Sequence, residues 1–126
     1  MLKIGIDLVN LDEMSETLQR SGSSFLRRVY SQREVEWAAA CSNPTAYYAG
    51  AFAAKEAVFK ALILDWADGI NLYEIEVLRG SRGEALLELS GAVRAAAEAH
   101  GAYEISLSIS YERHMAAAAV VYQSAG

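Results

Sequence analysis

The sequence predicts an α+β fold, a mostly antiparallel sheet packed against a long central helix and several shorter ones. Two observations carry that expectation. The apolar period switches along the chain, from strand-like alternation at residues 2–9 to helical spacing over the next sixty or so, and back to alternation from Leu72. Turn signals then separate short apolar runs, as in the stretch Arg79-Gly80-Ser81-Arg82-Gly83, which reads as a hairpin.

Taken in order, residues 2–9 alternate with Leu2, Ile4, Ile6 and Leu8 on one face and Lys3, Gly5, Asp7 and Val9 on the other. Asn10 and Glu13 mark a helix entry, Leu11, Met14 and Leu18 repeat at helical spacing, and Gly22 ends the element. A short helix over 24–29 follows, burying Phe25, Leu26 and Val29. Ser31-Gln32-Arg33-Glu34 is a capping box that opens a helix toward Cys41. Asn43-Pro44, with the only proline of the chain, starts the long helix, which is expected to run to about Trp66 and to close at Asp68-Gly69. Residues 72–78 and 85–89 are the arms of the hairpin, 92–100 an alanine-rich helix capped by Gly101, and 103–110 and 115–122 a last hairpin. No repeat, low-complexity tract or linker is visible, so residues 1–126 are expected to form one domain.

Composition narrows the function classes. Eleven basic against sixteen acidic side chains leave a net charge of −5, which argues against nucleic acid as the main partner. The one basic cluster is Arg27-Arg28 with Arg33, usually a solvated helix face but able to meet an acidic protein. A single cysteine, Cys41, forms no internal disulfide, and Cys41, His100 and His114 lack zinc-site spacing. Charges at Lys3, Asp7, Asp12 and Glu13 interrupt any signal-peptide core, and the apolar run at 115–122 is too short to span a bilayer. A cytoplasmic protein with no membrane partner is the expectation.

The run Phe52-Ala53-Ala54-Lys55-Glu56-Ala57-Val58-Phe59-Lys60-Ala61-Leu62 places three charges in a strongly apolar helix. Phe52, Phe59 and Ile63 share a face, and Glu56 falls close to it. A carboxylate there must be neutralised, paired or metal-bound. In the plainest account it is an i,i+4 pair with Lys60, worth ~0.3–0.5 kcal/mol. Asp7 is a second unusual carboxylate, in a strand where aspartate is depleted. Magnesium is typically held by one or two carboxylates, with phosphates and water completing the shell, and a nearby lysine then meets the phosphates. No nucleophile elbow, Cys–His motif, dinucleotide fingerprint or P-loop competes with this set.

Gly5-Ile6-Asp7 followed by Phe52-Ala53-Ala54-Lys55-Glu56-Ala57-x-x-Lys60-Ala61 resembles the paired signature of the phosphopantetheinyl transferases, in particular the short holo-acyl-carrier-protein synthase type. Arg27-Arg28-Val29, Ile75-Glu76-Val77, the Gly83-x-x-Leu86 return and residues 106–121 fall where that family has like segments. The resemblance implies a phosphopantetheinyl transferase-like fold and a cytoplasmic, magnesium-dependent enzyme of fatty acid or polyketide biosynthesis. It would move phosphopantetheine from coenzyme A to a serine of an acyl or peptidyl carrier protein. It further implies magnesium at Asp7 and Glu56, coenzyme A at Lys60 and Lys55, catalysis by Glu56 and Lys60, carrier docking at Arg27 and Arg28, and a homotrimer with sites at subunit boundaries.

The chain departs from the family pattern at several positions. Ala51 stands in place of an arginine, Ile63-Leu64-Asp65 in place of a glycine-rich turn, Tyr111 in place of a frequent histidine, and Glu13 in place of an arginine facing the carrier. Two readings fit these changes. One is a working transferase for a specialised carrier, such as one of secondary metabolism. The other is a family member that kept the fold while its activity was lost or changed, leaving a binding or assembly subunit.

Overall fold

The computed structural model describes residues 1–125, with the side chain of Tyr103 excepted. Strand β1 (Leu2–Asn10) leads into helix α1 (Leu11–Val29), α2 (Gln32–Ala40) and α3 (Pro44–Ala61). Two short 3-10 turns, Trp66–Asp68 and Leu72–Glu74, precede β2 (Ile75–Arg79), β3 (Ala85–Leu89), α4 (Gly91–Ala99), β4 (Ala102–Tyr111) and β5 (Met115–Ser124). The strands form two antiparallel sheets, one ordered β1-β5-β4 and the other β2-β3. The last strand therefore lies at the centre of the larger sheet, paired to the first, with Asp7 opposite Ala118.

The helix entries follow their local chemistry. Asn10 accepts a hydrogen bond from the Glu13 amide, and Ser31 and Glu34 satisfy each other's backbone amides in a reciprocal box. Asn43 caps α3 with Pro44 in its first turn. Gly22, at φ 40° and ψ −123°, breaks α1 into the two helices that the sequence suggests, although hydrogen bonding carries the element through to Val29.

Helix α3 is the core. Its Ala49, Ala51, Ala53, Ala54, Ala57 and Val58 are nearly inaccessible, and the small side chains let the sheet approach closely. Gly5 is the contact point, since a Cβ there would lie only 2.0 Å from the Ala57 carbonyl oxygen.

That contact has an unexpected consequence for β1. The face carrying Lys3, Gly5, Asp7 and Val9 turns toward α3, while Leu2, Ile4, Ile6 and Leu8 remain 61–69% exposed. Beside this ladder on the same face lie Ala117, Ala119 and Val121 of β5, then Ser106, Ser108 and Ser110 of β4. Alternation reveals that a strand has two faces, and helix contact selects which one goes inside.

Two boundaries differ from expectation. Helix α3 ends at Ala61 rather than near Trp66, and Gly69, at φ 74°, closes the Trp66–Asp68 turn instead. Ile63 consequently leaves the helix and is 72% exposed, away from the face shared by Phe52 and Phe59. The residues before Ile75 form a 3-10 turn, so that strand starts later than Leu72.

Candidate active site

Asp7 enters the site from β1, and Glu56 and Lys60 come from successive turns of α3. The Lys60 ammonium donates to Asp7 Oδ1 at 2.9 Å and to the Ile6 carbonyl at 3.1 Å. Glu56 is half-buried beside them. Burial raises its pKa, the Asp7 charge raises it further, and the Lys60 charge partly offsets both. The Asp7 and Glu56 carboxylates, far apart along the chain, thus act on one another electrostatically.

Such an arrangement fits a divalent cation, because two half-shielded carboxylates that repel each other are relieved by a shared positive ion. No third His, Cys, Asp or Glu joins them among the described residues, so phosphate oxygens and water are needed to complete a magnesium shell. Lys60, 55% exposed in its side chain, is open to an anionic ligand.

Lys55 corrects the expectation of a coenzyme A contact. Its side chain is 0% exposed, and its ammonium donates to Glu34 Oε1 at 2.7 Å and to the Leu72 and Ile75 carbonyls. All three of its donors are therefore committed within the protein, and none remains for a phosphate. Burial lowers the Lys55 pKa, with the Glu34 charge opposing that shift. Glu34 is equally enclosed and accepts from the Ser31 and Val77 amides as well. This buried pair ties α2, α3 and β2 together. The sequence signal for Glu34 was the capping box, which explained only one of its bonds.

Arg27 and Arg28 are exposed on the last turn of α1, at the rim of a cleft of about 570 Å³ walled by Trp66 and Tyr73. Arg33 does not belong with them. It reaches Glu76 at 2.6 Å and Glu88 at 3.1 Å across the β2-β3 sheet, which holds Glu76 below the usual carboxylate range.

Arg79 approaches α3 through Tyr111. Ala51 is buried, but one residue before it Gly50 leaves space for the Tyr111 hydroxyl, which would lie 2.2 Å from a Cβ there. Arg79 Nη2 donates to that hydroxyl at 3.3 Å. A guanidinium thus reaches this part of α3 from β2. Only tertiary proximity reveals it, since nothing local to Arg79 distinguishes it from a hairpin-flanking arginine.

A strand carboxylate, Asp7, and a helix lysine, Lys60, pair across β1 and α3, and their charges act on the helix carboxylate Glu56. Residues 3–119 match the family model described as the 4'-phosphopantetheinyl transferase superfamily. Holo-[acyl-carrier-protein] synthase of Vibrio campbellii is 36% identical over 124 residues, covering 98% of each chain. The Solidesulfovibrio magneticus protein of the same name is 42% identical over 120 residues, covering 95% of this chain and 96% of that protein. Among solved structures, the Chronobacterium ammoniagenes ACPS-CoA complex superposes with a TM-score of 0.88 at 34% identity, covering 100% of this chain and 99% of that one. The chain belongs to the 4'-phosphopantetheinyl transferase superfamily and, within it, to the holo-acyl-carrier-protein synthase type.

Proposed function

We propose that this protein transfers phosphopantetheine from coenzyme A to a serine of an acyl or peptidyl carrier protein. The observation that carries this reading is the meeting of Asp7, Glu56 and Lys60 in a chain that belongs to this family. Asp7 and Glu56 would hold Mg2+, which when bound offsets negative charge on the diphosphate. Lys60 meets the phosphates as a point charge. Glu56, its pKa raised, accepts the proton of the carrier serine. The serine oxygen forms a bond to the phosphorus that bears the pantetheine, and the bond to the adenosine bisphosphate breaks.

The exposed ladder Leu2, Ile4, Ile6 and Leu8 supports self-association through this face, the homotrimer being what the family resemblance implies. Ile6 and Leu8 flank Asp7 along β1, so assembly and the site share a strand. Ile6→Asp should give a slower-sedimenting species than the unaltered chain; an unchanged sedimentation coefficient rules out this face as the interface.

Incubation with coenzyme A, Mg2+ and a panel of apo carrier proteins, read by mass spectrometry, tests the transfer. Addition to one carrier and not others supports a specialised partner, such as one of secondary metabolism. No addition to any carrier, with no coenzyme A binding by calorimetry, favours the alternative of a binding or assembly subunit. Buried Ala51 and the non-glycine turn at 63–65 are the features that favour that second reading.

A further inference from the structure

The turn that ends α3 is the one place among the described residues where a residue other than glycine has positive φ: Ile63, at φ 52°. Its amide donates to the Lys60 carbonyl at 3.2 Å, and the Leu64 amide donates to the Phe59 carbonyl at 3.0 Å. Those two bonds are the Schellman arrangement, in which the left-handed position is usually glycine. A β-branched side chain there is strained, yet it is not compensated by burial, since Ile63 is 72% exposed.

The turn is also poorly suited to an anion. The Ile63 and Leu64 amides are spent on the helix end, Leu64 is buried, and Asp65 adds a negative charge while capping the next turn through the Ala67 amide. What it does present is apolar surface. Trp66, three residues on, is 57% exposed and lies 4.7 Å from the Phe59 ring, centroid to centroid. Trp66 in turn walls the cleft whose rim carries Ser24, Arg27, Arg28, Asn71 and Tyr73. Neither Arg27 nor Arg28 has a carboxylate partner among the described residues, and the chain as a whole carries a net charge of −5. Trp66 thus stands in the same cleft as two unpaired cations, three residues from exposed Ile63 on an otherwise acidic protein, and this combination complements an acidic partner that presents apolar side chains.

We propose that Ile63, with Trp66, is a specificity-determining contact for the carrier protein, and that this turn makes no phosphate contact. The inference rests on the reading that the partner is a carrier. It explains why a strained side chain stands in the open: the contact is realised only in the complex.

The experiment compares the unaltered chain with Ile63→Gly and Ile63→Asn, both of which tolerate the left-handed position. Binding of apo acyl and peptidyl carrier proteins and, separately, of coenzyme A is measured by calorimetry, with thermal unfolding alongside. Both variants should lose about tenfold in carrier affinity, as expected for an exposed apolar contact in an interface, and keep their coenzyme A affinity. Ile63→Gly should also unfold at a higher temperature, so a loss of affinity cannot come from misfolding. Unchanged carrier binding, a loss confined to coenzyme A, or no carrier bound by the unaltered chain would each overturn the proposal. Carrier binding that depends on Ile63 without any phosphopantetheine transfer would end the transferase reading and leave this contact standing.

Discussion

Lys55 and Lys60 stand on the same helix, each facing a carboxylate, and their surroundings are opposite. Lys55 and Glu34 are both 0% exposed and saturate each other's neighbourhood with hydrogen bonds, joining three elements. Lys60 and Asp7 are 55% and 19% exposed, beside a second carboxylate that their pairing leaves strained. One cluster is closed and holds the fold. The other is open, and the Asp7 charge there raises the Glu56 pKa while Lys60 opposes it. A motif that contains both lysines thus combines an enclosed pair with an open one.

The largest expected effect tests the closed cluster. Lys55→Met leaves the Glu34 carboxylate buried without its cation, which should cost about 3–5 kcal/mol in urea unfolding. Adding Glu34→Gln should recover part of that loss, because an amide oxygen can still accept from the Val77 amide. A loss below about 1 kcal/mol would mean that the pair is not a structural anchor.

The next tests the open cluster. Glu56→Gln should reduce transfer by at least about a hundredfold, the usual size of a general-base contribution, while the fold persists. It should also change how stability depends on pH. With its pKa raised in the folded state, Glu56 binds a proton more tightly there than in the unfolded chain, so stability falls as pH rises from the ordinary glutamate range through the raised value. Glu76 acts in the opposite sense: its pKa is lowered, first by the hydrogen bond from Arg33, and its contribution is lost as pH falls through that lowered value. Unfolding curves across mildly acidic pH should therefore show Glu56→Gln removing the first slope and sparing the second. An unaltered first slope would show that Glu56 is not the repelled carboxylate.

The smallest effect on stability belongs to Lys60→Met. An exposed ion pair is worth less than about 1 kcal/mol, so the urea midpoint should hardly move, whereas coenzyme A affinity should fall about tenfold. The Glu56 pKa should rise further, since Lys60 is the charge that holds it down. If Lys60→Met destabilised the fold as much as Lys55→Met, the division between the two clusters would collapse.

Helix starts at Asn10, Ser31 and Asn43 are legible in the sequence because a cap is a short-range hydrogen bond between neighbours along the chain. The end of α3 is not, because its left-handed position is filled by Ile63, and the glycine that normally announces such a turn is missing. The role of Lys55 is hidden for a different reason: its partners on α2, before β2 and at the start of β2 are distant along the chain and invisible to spacing.

Local preference and periodicity were enough to define the elements, their caps and three charged groups that do not belong in apolar surroundings. Which face of β1 turned inward, which lysine was enclosed and which remained open, and how an arginine on β2 came to lie beside α3 were decided by packing. Gly5 against Ala57 seats β1 on the helix, and every side chain along that contact is then sorted by where the backbones meet.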